Sequence, residues 1–135
     1  MILTDTGPLV ALLNGGDQHH RACVQALPRV QGPLVTTWPV LTEAMHFLGR
    51  WGGWEAQQGL WSWVNRKNLV LRDISPEMSL RMQALMRQYH DLPMDFADAS
   101  LVALAEELRL PRIFSLDSDF RVYRLPNGGT FEVIP

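Results

Sequence analysis

The chain has one cysteine, few charges and no long apolar run, and each shortage narrows what it can be. Cys23 alone cannot close an internal disulfide, and no CxxC pair offers the spacing of a structural zinc site. A reducing interior, the cytoplasm, is therefore the expected location. No stretch approaches the ~20 apolar residues that span a bilayer, and no basic leader precedes the first apolar residues. The expectation is a chain with neither a membrane span nor a signal peptide. Charged residues make up only 19%, and the net charge of −2 argues against a broad basic surface for nucleic acid. It leaves room for an acidic pocket with a local basic rim. Arg50, Arg66, Lys67, Arg109, Arg112, Arg121 and Arg124 are candidates for that rim, although such side chains mostly stand in solvent.

What is present is a core. At 135 residues and 47% apolar composition, the chain suits one soluble domain. Met1–Thr4 reads as a short buried strand, with Thr6-Gly7-Pro8 as the turn out of it. Leu9–Asn14 and Gln18–Leu27 have helical spacing, broken by Gly15-Gly16-Asp17. Leu34–Thr37 is a second strand, and Pro39 stands near the start of the helix VLTEAMHFLGR. Trp51-Gly52-Gly53-Trp54 interrupts, and a further helix runs from about Glu55 to Arg66. Asn68–Arg72 is a third strand, and a helix follows with Ser75 as N-cap and Pro76 at its first position. Ala97–Leu108 is the most Ala/Leu-rich helix, Arg112–Leu116 a fourth strand, and Phe131–Ile134 a fifth. Strands alternating with helical segments of this length imply crossovers and a mainly parallel sheet covered on both faces. The fold expectation is one three-layer α/β/α domain over residues 1–135.

In such a sheet, sites form at the carboxyl ends of the strands, where the strand order reverses. Asp5 ends the first strand, and Glu43 falls in the first turn or so of the helix after the second. Asp98 opens the helix leading to the fourth strand, which Asp117 and Asp119 follow directly. Taken singly, each acid has an ordinary explanation as a turn former, a helix cap or a first-turn residue. Together, on one edge of a parallel sheet, they form a cluster whose mutual repulsion calls for a cation. A hard divalent ion with oxygen ligands, Mg²⁺ or Mn²⁺, answers that need, and can activate water against a phosphodiester.

Four phrases in order resemble the PIN-domain ribonucleases, and among them the VapC-type toxins of toxin–antitoxin pairs. They are LTDTGPLVALL, VTTWPVLTEAMHFL, DASLVALA and IFSLDSDF, and together they cover nearly the whole chain. The resemblance implies a PIN fold and Asp5, Glu43, Asp98 and Asp117 as catalytic acids. Asp5, Asp98 and Asp117 would be metal ligands, with Asp119 a possible one in the same turn. Asp95 in PMDFADAS rivals Asp98 by composition, but Asp98 immediately precedes the Ala-rich phrase. Thr6 and Ser115 match hydroxyl positions that help order the metal's water. The implied activity is Mg²⁺-dependent hydrolysis of RNA phosphodiesters to leave a 5′-phosphate, with an antitoxin as partner. A PIN nuclease of RNA processing without an antitoxin is the alternative, as is an inactive binding domain. The intact acid set speaks against the last. A phosphatase opening on DxDx[TV] fits less well, since TDTG has one aspartate.

Two further features attract notice. His19, His20 and Cys23 suggest a transition-metal site, but adjacent histidines on a helix face different ways, and a surface helix with a buried cysteine is the simpler reading. Trp38, Trp51, Trp54, Trp61 and Trp63 form an unusual density of indoles. Aromatics can stack on single-stranded RNA, while the Gly-punctuated Trp51–Trp63 stretch suits a protein interface better, either a homodimer or the antitoxin.

Overall fold

The structure, a computed structural model, describes residues 1–135. Five parallel strands make one sheet in the order β3-β2-β1-β4-β5. They are β1 (Ile2–Thr4), β2 (Leu34–Thr37), β3 (Leu69–Arg72), β4 (Arg112–Phe114) and β5 (Glu132–Ile134). Between them lie α1 (Thr6–Leu13), α2 (His20–Ala26), α3 (Trp38–Asn65), α4 (Pro76–Gln88) and α5 (Phe96–Leu108). Right-handed crossovers account for the layers. The chain moves outward from β1 to β3 with α1, α2 and α3 on one face, then returns over the sheet through α4 and α5 on the other. The three-layer α/β/α domain read from the sequence is the observed one.

The central strand β1 is buried throughout because both its faces are covered: Ile2, Leu3 and Thr4 are fully buried, as are Val35, Ile113 and Phe114 beside them. Behind them, α5 turns an almost continuously buried surface inward, from Ala97 to Ala105. Small alanines let this helix lie close to the sheet. A hydrogen bond of 2.6 Å between Thr37 Oγ1 and Ser100 Oγ ties it to the end of β2. On its outer side, Arg81 of α4 grips Glu106 of α5 through two hydrogen bonds of 2.8 and 2.9 Å.

Several boundaries differ from the sequence reading. Thr6-Gly7-Pro8 is not a turn but the first turn of α1, because Asp5 caps the helix directly. Pro8 at the third position is harmless, since the first amides of a helix have no internal partner. Strand β4 stops at Phe114, two residues early; the Ser115 amide still donates to Ile134 O at 2.9 Å, and its hydroxyl turns to the site. The WGGW interruption is a sharp kink rather than a loop. Gly53 alone leaves helical geometry, at φ 63° and ψ −153°, and α3 continues to Asn65.

That conformation is open only to glycine. Gly53→Ala should lower stability by roughly 1–3 kcal/mol. Gly59, helical and with room beside Leu13 for a methyl group, should behave oppositely, with Gly59→Ala raising stability by about 0.5–1 kcal/mol. Chemical denaturation of the two variants checks the pair of opposite signs.

Candidate active site

The first carboxylate is fixed by the strand that precedes it. The amide of Asp5 donates to Phe114 O at 2.9 Å, so the residue still belongs to the edge of the sheet. Its carboxylate then accepts from Thr6 N at 2.8 Å through Oδ1 and from Ser115 Oγ at 2.8 Å through Oδ2. Ser115 in turn accepts from Asp117 N at 3.0 Å, and Asp117 Oδ1 accepts from Asp119 N at 2.9 Å. One hydroxyl therefore ties the acid after β1 to the acid after β4. Gly7 permits the close approach this needs, because a Cβ there would stand 3.1 Å from Leu116 Cδ1.

Asp98 arrives from the opposite layer. The N-cap of α5 is Asp95, whose Oδ1 accepts from Asp98 N at 2.7 Å. Asp98 is thus the third residue of the helix rather than its opening, and its side chain turns inward while Asp95 stays exposed. Tyr123 Oη donates to Asp98 Oδ2 at 2.7 Å. The carboxylate oxygens of Asp5, Asp98 and Asp117 lie within 4.8 Å of one another.

Glu43 reaches the same cleft, from the second turn of α3 instead of the first. Asp119 sits on the short 3₁₀ turn Ser118–Arg121 and does not line the cleft; its backbone, not its side chain, supports Asp117. The Ser115 hydroxyl holds Asp5 and caps the turn at Asp117, so it positions two carboxylates. The Thr6 hydroxyl is buried without any hydrogen-bond partner, and sits close enough to Glu43 to ease the charge on it.

The electrostatics follow from burial. Asp5 and Asp98 are the only buried carboxylates in the protein. Desolvation, reinforced by the neighbouring acids, pushes Asp5 up to about 6 and Asp98 to about 8. Glu43 is raised by burial and by the charges of Asp95 and Asp5. Burial, with Asp98 next to it, drives the Tyr123 phenol upward, so it remains a proton donor. The ion pairs of the protein lie elsewhere, at Arg81–Glu106, His90–Asp91 and Arg112–Glu132. Three converging oxygens without a basic partner, beside an unpartnered hydroxyl, fit a small divalent cation.

Several residues of the site escape the sequence reading, Asp17 and Phe47 among them. Tyr123 carried a weak signal, since a buried tyrosine needs a hydroxyl partner, but nothing in RVYRL says where it folds. Asn14 and His19 line the cleft from the α1–α2 connection. His19, His20 and Cys23 make no metal site: His20 Nδ1 bonds Ala11 O at 2.7 Å and Cys23 is fully buried. Of the indoles, Trp51 lines the cleft, Trp38, Trp54 and Trp61 are exposed, and Trp63 packs partly against the core.

Comparison with known proteins agrees with this architecture. The PIN domain family model matches residues 2–125. Among solved structures, VapC20 of Mycobacterium tuberculosis, a sarcin–ricin loop cleaving toxin, superposes with a TM-score of 0.85 at 20% identity, covering 100% of both chains. A toxin–antitoxin complex from Klebsiella pneumoniae gives 0.69 at 22% identity over 89% of this chain and 90% of that one. VapBC2 from Rickettsia felis, bound to promoter DNA, gives 0.69 at 16% identity over 100% of both. At such identities these structures show the shared fold. A sequence search of curated proteins finds no match.

The raised carboxyls link stability to pH. Their protonated forms suit the folded state, so their contribution is complete below the unfolded value of about 3.9 and is lost as pH rises through about 6 and about 8. Metal-free protein should melt at progressively lower temperature from pH 5 to pH 9. Asp98→Asn keeps an acceptor for Tyr123 and should raise the metal-free Tm at pH 8.5 by at least about 5 °C. Mg²⁺ should stabilise wild type but not the variant. Thermal melts with EDTA and with Mg²⁺ at each pH check all three.

Proposed function

The chain belongs to the PIN domain family, and from that premise we propose that it is a Mg²⁺-dependent endoribonuclease, with Mn²⁺ as a working substitute, and the toxin of a toxin–antitoxin pair. The observation that carries this is the meeting of Asp5, Asp98 and Asp117 in one cleft with no basic partner. Those three residues would hold the cation, directly or through water. When bound, it supplies positive charge against the phosphodiester and makes water more acidic.

The protein's own groups account for the remainder. Glu43 stands on the cleft wall with its proton affinity raised, the property a general base needs near neutral pH. It accepts the proton of the attacking water as that water adds to phosphorus. The free Thr6 hydroxyl offers that water a hydrogen-bond partner. Ser115 and Tyr123 keep Asp5 and Asp98 in place, so no reorganisation is needed as charge builds on the phosphate. Departure of the 3′-oxygen leaves a 5′-phosphate on the downstream fragment. An RNA substrate accords with the sarcin–ricin loop cleaving relative, and an antitoxin partner with the toxin–antitoxin complexes of the same fold. The antitoxin would cover the acidic cleft. A homodimer and a cytoplasmic location complete the proposal; no helix is long and apolar enough to cross a membrane.

Cleavage of labelled total RNA tests the reading. Wild type should cut with Mg²⁺ or Mn²⁺ and stop with EDTA. Asp5→Asn and Asp98→Asn should lose at least about 100-fold, with circular dichroism unchanged. Cleavage that persists in EDTA or in both variants would sink it. Induced expression in cells should arrest growth for wild type and not for Asp98→Asn.

A further inference from the structure

The cleft is longer than its carboxylate end. Glu43, Phe47 and Trp51 are spaced four residues apart on α3 and form one stripe along the helix, and all three line the cleft. Opposite this stripe run Val10 and Asn14 of α1 and its C-cap, then His19. Eight residues of helix from Glu43 to Trp51 span ~12 Å, room for about three stacked bases at ~3.4 Å each. The stripe begins at an acid of the site and ends in two aromatic rings that the fold does not use. Phe47 is 50% exposed and Trp51 is 56% exposed.

The facing wall carries Asn14 and His19 beside Val10, two polar side chains that an apolar helix seeking a groove would leave unpaired. His19 is the single side chain lining the whole cleft that can carry positive charge, and it makes no hydrogen bond within the protein through its ring. A nucleotide chain needs such a combination, with a ring face for its base and a donor for its phosphate. Aromatic platforms bind single-stranded nucleic acid in this way.

We propose that the arm of the cleft between α1 and α3 is a substrate subsite for single-stranded RNA, in which Phe47 and Trp51 stack on bases flanking the scissile phosphate and His19 donates a hydrogen bond to a neighbouring phosphate. The inference rests on the nuclease reading and adds to it what grips the substrate. It makes these three residues determinants of binding rather than of the chemical step.

The test uses full-length protein and a fluorescently labelled pool of random single-stranded RNA 12-mers, followed by the best-cut oligonucleotide from that pool. Trp51→Ala and Phe47→Ala should each raise KM about tenfold with kcat nearly unchanged, and Trp51→Phe should recover most of the loss. His19→Ala should raise KM about threefold. Replacing the base next to the cut by an abasic residue should weaken wild type and leave Trp51→Ala indifferent, the signature of a lost stack. If wild type cuts the pool but Trp51→Ala and Phe47→Ala keep its KM, the subsite is wrong and the nuclease reading survives. If those variants instead change the oligomeric state on size exclusion while KM holds, the stripe is an interface between copies and the subsite is again wrong. If wild type cuts no oligonucleotide and no cellular RNA, the nuclease reading fails and takes the subsite with it.

Discussion

Two buried carboxylates without a basic partner are the constraint around which this protein is organised. A core position normally excludes an ionisable acid, because removing a charge from water costs several kcal/mol even after relaxation. Asp5 and Asp98 are buried to 7% and 5% exposure all the same. Ser115, Thr6 and Tyr123 donate to them, which holds their direction without neutralising them. Burial wins over these hydrogen bonds, and both acids bind protons more tightly than usual. The folded chain therefore carries an unmet demand for positive charge at one place.

The topology makes that place inevitable. With β1 and β4 adjacent and parallel, the residues following each strand emerge side by side. A single serine hydroxyl is then long enough to join them. The third acid needs no strand. It comes from α5, whose cap Asp95 fixes the first turn so that the residue three further on faces the sheet. This arrangement separates labour between two neighbouring aspartates: the exposed one starts the helix and the buried one serves the site. Exchanging their roles would rotate α5 and withdraw the alanines that lie against the sheet.

The strands, their parallel pairing and the acids at their ends were legible in the sequence, because short apolar runs ending in Asp or Thr and separated by helical periods leave few other arrangements. What was not legible came from tertiary contact. The turn TGP reads as a breaker until Asp5 is known to cap it. DFAD offers two aspartates three apart, and only packing against the sheet decides which one turns inward. The WGGW segment looks like a break, yet one glycine takes up the bend and the helix resumes on the far side. Tyr123 belongs to the site only because the 3₁₀ turn at Phe120 folds back beneath α5, stacking it edge-on against Phe120 and Tyr89. Such contacts join residues with no periodic relation, so no local pattern announces them.

The same electrostatics bear on how a substrate could be held. Binding of nucleic acid usually draws its strength from Lys and Arg that displace counterions from phosphates. Here six acidic residues line the cleft, Asp5, Asp17, Glu43, Asp95, Asp98 and Asp117, and neither Lys nor Arg lines it. An RNA strand approaching the metal-free cleft meets repulsion. A divalent cation offsets part of that charge at the carboxylate end only, over a Debye length of about 8 Å. Along the remaining length, attraction has to come mainly from contacts indifferent to charge, stacking on Phe47 and Trp51, with His19 as a donor for a phosphate. Affinity built in this way would depend less steeply on salt than that of a basic RNA-binding surface, and selectivity would rest on the bases that can leave their own stack to reach Phe47 and Trp51.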